Sequence, residues 1–180
     1  EEQLRLVQVE KYKQDLEFSK KYGLGVYWED SIEHLAEFIE NPNVPLILHI
    51  YQPTSLLCAQ IDYIIETSFC EQYLGTRFRR IAYNYQLSRH PALTKYENQI
   101  QSNGTILCFK SKDLFLHQSN FEEFGDDIDI ISLNLRKLLS NAHILERSVP
   151  HLSVLFPNDP KAQRNFGDGK DDEEEEEERY

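Results

Sequence analysis

Apolar positions recur along this chain with two periods, one close to 3.6 residues and one close to 2. From Glu1 to Tyr22 most residues are charged or polar, with Leu4, Val7, Tyr12, Leu16 and Phe18 among them and no Pro or Gly. That pattern predicts a helix with a narrow apolar stripe, stopped by Gly23 and Gly25. Val26-Tyr27-Trp28 predicts a short strand. Ile32, Leu35, Ala36 and Ile39 recur at i, i+3, i+4 and i+7, the spacing of an amphipathic helix. Asp30 is placed to cap that helix, with Glu33 three residues on, and Asn41-Pro42 to end it. Pro45 to Tyr51 is nearly unbroken apolar sequence between turn signals, which predicts a buried central strand. After Gln52-Pro53-Thr54, Leu57, Ile61, Ile64, Ile65 and Ser68 line one face of a long helix that Gly75 ends.

Arg77 to Tyr83 predicts a third strand, and Asn84 to Asn103 a polar connection holding a short helix near Ala92 to Gln99. Thr105 to Phe109 and Asp113 to His117 predict two more strands. The Lys110-Ser111-Lys112 link between them is long enough only for a hairpin. Ile128, Ile131, Leu135, Leu138 and Leu139 mark a final helix. Past Val149 the periodicity fades among Pro150, Pro157 and Pro160, and residues from about 157 are expected to be disordered. A β-α-β unit followed by a hairpin and a closing helix is the thioredoxin arrangement. The fold expected is therefore α/β and thioredoxin-like: a mixed central sheet, flanking helices and an extra N-terminal helix. Its segments are a linker helix at 1–22, the domain at 23–149 and a flexible acidic tail at 150–180.

Composition narrows the classes. The 180 residues are 40% hydrophobic, enough for one real core. No apolar run reaches the ~18 residues that read as a membrane span, and the polar opening Glu1-Glu2-Gln3 does not read as a secretory leader. The chain opens without Met, which leaves room for a preceding portion. Net charge is −12, of which Asp168 to Tyr180, with nine acids and two bases, supplies −7. Such a chain repels phosphate backbones, so no nucleic-acid partner is expected. Cys58, Cys70 and Cys108 are odd in number and form no C-x-x-C, which points to a reducing, cytoplasmic setting. The six His show no zinc spacing, so neither metal nor cofactor is expected.

In a thioredoxin, the central strand leads into a C-x-x-C at the start of the next helix, whose N-terminus stabilises a thiolate. The matching window here is Ser55-Leu56-Leu57-Cys58. With one sulfur missing, dithiol–disulfide exchange within the site is excluded. The shaping proline before the next strand is replaced by Gly104. Ser55, Cys58 and Gly104 thus mark a degenerate redox position, with Cys58 expected to face the core as a small hydrophobe. His49, inside a buried strand, is expected to be a satisfied core or half-buried histidine rather than a base. Asp126-Asp127-Ile128-Asp129 lacks the Gly and closing Glu of a calcium loop and reads as charge at a helix N-terminus.

Several stretches, in order, resemble the phosducin family. His49-Ile50-Tyr51 is similar to its V-H-I-Y strand. Tyr12-Lys13-Gln14-Asp15-Leu16, Lys21-Tyr22-Gly23 and Val26-Tyr27 resemble its linker helix and the opening of its domain. Arg77-Phe78-Arg79-Arg80-Ile81 resembles its K-F-x-K-I strand. Gly104-Thr105-Ile106-Leu107-Cys108-Phe109-Lys110 falls where it has P-T-L-L-V-Y-K, and Asp113-Leu114-Phe115 where it has G-E-L-L. The resemblance covers roughly residues 10–147 and does not include the family's N-terminal Gβγ-binding helix. It implies a non-catalytic protein that binds G-protein βγ dimers, or that assists the cytosolic chaperonin in folding Gβ, actin or tubulin. Lys11, Lys13, Lys20 and Lys21 on the linker helix are candidate partner contacts, weighed against a plain solvated face. The alternatives are a monothiol oxidoreductase using Cys58, which requires that thiol to be exposed, and a structural thioredoxin-like module of a larger complex.

Overall fold

The computed structural model describes residues 1–40 and 43–163. A five-stranded sheet carries the chain in the order β1-β3-β2-β4-β5. Strands β1 (Tyr27–Glu29), β2 (Leu46–Tyr51) and β3 (Arg77–Ala82) run parallel; β4 (Thr105–Lys110) is antiparallel to β2, and β5 (Asp113–Gln118) to β4. This is the thioredoxin-like α/β arrangement, with helices on both faces of a mixed sheet. The β4–β5 link is the hairpin expected, turned by Ser111 and Lys112, both at positive φ.

Alternation along β2 divides the core. Leu46, Leu48 and Ile50 face α2 (Ile32–Glu40) and the 85–100 connection, while Ile47 and His49 face the other layer. There α3 (Leu56–Ile64) passes through a π-helical segment (Ile65–Phe69) into a last turn, α4 (Cys70–Gln72), beside α5 (Ile128–Asn141). The long helix thus ends at Gln72 rather than at Gly75. The π turn inserts an extra residue per turn and rotates the buried stripe. Phe69 and Cys70 are buried in place of Ser68, which is half-buried.

Three other expectations are corrected. Ser31, not Asp30, caps α2: its hydroxyl accepts from the His34 N–H at 3.2 Å, while Asp30 turns to the His34 ring and Arg79. The connection after β3 is two 3₁₀ turns, Leu87–Arg89 and Thr94–Gln99, and it buries Leu87, Ala92, Leu93, Tyr96 and Ile100 against the sheet. Residues 157–163 also take a definite place: after α6 (Leu152–Leu155), Pro160–Gln163 form a 3₁₀ turn with Ala162 buried. The acidic run at 171–178 and Asn41-Pro42 lie outside the described residues.

Helix α1 (Glu2–Tyr22) docks by its C-terminal half, where Val9, Tyr12 and Leu16 pack against Leu74, Val149 and Leu155. Leu4 and Val7, read from the sequence as part of the apolar stripe, are exposed. Gly23 closes the helix in the left-handed region, φ +63°, its N–H returning to Lys20. Arg79 secures the turn that follows: it is buried, stacks on Trp28 at 3.8 Å and donates to the carbonyls of Gly23 and Val26. Burial and the neighbouring Arg77 push its pKa down to about 10.

Candidate functional site

The site lies where β2 runs out into α3. Ser55 is the N-cap of α3, in extended conformation, and its hydroxyl accepts from the Cys58 N–H at 3.3 Å. The residue standing where a first sulfur would be therefore serves the backbone. Cys58 follows in the first helical turn. It is only 1% exposed, and its sulfur accepts from the Gln52 N–H at 3.4 Å and donates to the Asn103 carbonyl at 3.5 Å.

Gly104 closes over the sulfur. Its φ is +121°, and a Cβ there would stand 2.7 Å from Cys58 Sγ and 2.6 Å from Phe121 Cε2. Glycine fits where a proline, fixed near φ −65°, does not. The structure thus brings Ser55, Cys58 and Gly104 together, as the sequence suggested.

It adds a polar relay beneath them. His49, fully buried on β2, engages Asp62 Oδ1 through Nδ1 at 2.8 Å. Asp62, one turn along α3 from Cys58, also accepts from the Tyr27 hydroxyl and from Arg80 Nη1 at 2.9 Å. His49 is not the fully satisfied core histidine expected, because its Nε2 is buried without a hydrogen-bond partner. None of Asp62, Tyr27 and Arg80 was singled out in the sequence as a site residue. The available signal was a carboxylate beside Ile61 and Ile65 on a helix face otherwise meant for the core.

The relay shifts all three groups in the sense of charge separation. Burial works to raise the Cys58 thiol, but the neighbouring His49 ring, the Gln52 N–H and the Ser55 hydroxyl outweigh it and hold the thiol below its ordinary value. Burial works to lower the His49 imidazole, but Asp62 and Cys58 outweigh it and hold the ring above its ordinary value. Burial likewise works to raise the Asp62 carboxyl, and His49, Tyr27 and Arg80 together hold it lower. A thiol held low beside an imidazole held high, oriented by a carboxylate, is the arrangement of an activated nucleophile, here under a closed cover.

The other candidates do not converge. Lys11, Lys13, Lys20 and Lys21 are exposed along α1; Lys13 lies 4.0 Å from Glu10, and Glu17 precedes Lys20 by the same three-residue step. Asp127 caps α5 by accepting from the Asp129 N–H at 2.8 Å, in line with a helix N-terminus. Among the described residues no group of His, Cys, Asp or Glu is arranged to hold a metal ion, and no helix is long and apolar enough to cross a membrane.

Fold and site together define a thioredoxin-like domain with one sulfur, capped by serine and covered by glycine. Compared with protein-family models and with curated protein sequences, the chain matches none.

Proposed function

We propose that this protein works by binding other proteins, as a phosducin-like module that engages G-protein βγ dimers or serves the cytosolic chaperonin in folding Gβ, actin or tubulin, and that it is not an enzyme. The observation that carries this reading is the closed cover over Cys58. A thiol that is 1% exposed, with no second sulfur in its window, is not poised for turnover with protein disulfides. What remains for function is surface: the docked α1, its exposed Leu4, Leu6 and Val7, and the exposed Leu56 at the old active-site rim. The resemblance of residues 10–147 to the phosducin pattern supplies the class of partner.

The test is a pull-down with the full chain against purified Gβγ and against purified chaperonin. Saturable capture of either is expected. Failure to bind both, with the chain folded, sinks the reading in favour of a structural module. The monothiol oxidoreductase stands second and is favoured by the His49–Asp62 pair beside Cys58. Catalytic turnover of a small disulfide, lost in Cys58→Ser, would put it first.

A further inference from the structure

The Cys58 sulfur is surrounded by donors. The Gln52 N–H and the Ser55 hydroxyl address it from the loop, and its place in the first turn of a nine-residue helix adds the field of unpaired N–H groups. As a thiol it donates to the Asn103 carbonyl. A neutral thiol leaves such an array poorly used; a thiolate satisfies it. The second observation concerns His49. Asp62 occupies Nδ1, and Nε2 is fully buried with no partner, a state that is costly for a polar group. A proton on Nε2, beside an anionic sulfur, removes that cost. Neither Cys70 nor Cys108 has a comparable set, and burial pushes both thiols up, Cys70 to about 12.

We propose that Cys58 is a masked thiolate, paired with the His49 imidazolium, and that it is a modification site for small hydroperoxides. In the step, Sγ attacks one peroxide oxygen, and the O–O bond breaks as the S–O bond forms. The sulfur is oxidised to a sulfenic acid and the peroxide is reduced. The departing hydroxide or alkoxide takes the proton from His49 Nε2, leaving water or an alcohol and a neutral imidazole held through Nδ1 by Asp62. Asp62, Tyr27 and Arg80 act as positioning residues.

Oxidation is also coupled to shape. With Gly104 in place there is no room for another atom on its side of the sulfur, since a Cβ would already stand 2.7 Å away. The added oxygen therefore displaces the Gln101–Gly104 loop, which Gln52 Nε2 fastens by donating to the Ser102 carbonyl at 3.2 Å. The site is thus a switch at the rim of the sheet. It stands apart from the partner-binding reading, and its failure leaves that reading intact.

The experiment treats the folded full chain with hydrogen peroxide, traps sulfenic acid with dimedone, and maps the adduct by peptide mass spectrometry. The expected result is an adduct on Cys58 and none on Cys70 or Cys108. His49→Gln should slow labelling by about tenfold or more, since each unit by which the thiol pKa exceeds the working pH cuts the thiolate fraction about tenfold. Gln52→Ala, which releases the loop but keeps the backbone N–H, should speed it. Should His49→Gln fail to fold, thiolate absorbance of the unsubstituted chain against Cys58→Ser reads the ion pair directly, with a Cys58 signal expected at neutral pH. Labelling of Cys58 only after unfolding, a folded His49→Gln that reacts at the unsubstituted rate, or no Cys58 thiolate at neutral pH would each overturn the proposal.

Discussion

Gly104 and Gly23 both hold positive φ, +121° and +63°, and differ in what surrounds them. A Cβ on Gly23 meets nothing within 4 Å, whereas on Gly104 it meets Phe121 and the Cys58 sulfur below 3 Å. Gly23→Ala should therefore cost only the backbone term, about 1 kcal/mol. Gly104→Ala adds overpacking and should cost roughly 2–4 kcal/mol. Urea unfolding midpoints of the two variants check this, and equal losses would mean that the cover over Cys58 is looser than described. The glycine was legible in the sequence as a departure from proline. Its reason was not, because the sulfur and the ring that crowd it come from positions 58 and 121, far away in the chain.

At the scale of elements, α1 is held by a few long-range contacts. Asp15 is buried, and Arg147, which follows α5, reaches it at 2.7 Å while stacking on Phe18 at 3.8 Å. Removing the arginine strands a carboxylate at the interface, so Arg147→Ala should weaken the docking of α1 by about 2–4 kcal/mol. Hydrogen exchange measures this by region. Protection should fall in residues 9–22 and stay unchanged in β2 and β4; an even loss across the sheet would show that α1 is part of the global unit instead. The strands and α2 were legible because period 2 and period 3.6 survive in single stretches of sequence. The docking of α1 was legible only in part: Tyr12 and Leu16 of the apolar stripe do pack, but Leu4 and Val7 do not, and the buried acid Asp15 gave no apolar signal. The π turn at 65–69 was hidden: it shifts the buried face by one position, which turns Ser68 outward and brings Cys70 in. The relay Tyr27–Asp62–His49 joins three elements, β1, α3 and β2, and no local window contains it.

For the whole molecule, these buried groups set how stability depends on pH. Asp62 is held below its ordinary value of 3.8, so its contribution is present above that pH and lost as pH falls through the folded value. His49, held above 6.5, contributes below that pH and loses its contribution as pH rises through its folded value. Cys58, held below 9.0, acts in the opposite sense, contributing fully above 9.0 and losing as pH falls through its folded value. Between those limits the two partly offset each other, which gives a shallow profile near neutrality. On the alkaline limb the buried thiols act against Arg79, which is lowered to about 10 and gains stability as pH rises through that value. Cys70 is raised from 9.0 to about 12, and Cys108 is raised as well, both by burial. A raised thiol contributes below 9.0, and the contribution is lost as pH climbs, at up to about 1.4 kcal/mol per pH unit for each group. Tyr27, raised well above 10.0, adds its own loss only past that value. Comparing urea unfolding between pH 9 and 10 with and without the two thiols therefore isolates their share. The unsubstituted chain should lose stability steadily across that interval, and Cys70→Ala with Cys108→Ala should flatten the slope despite a lower starting stability. An unchanged slope in the double variant would mean that the two thiols are hydrated in the folded protein and that the alkaline loss arises elsewhere.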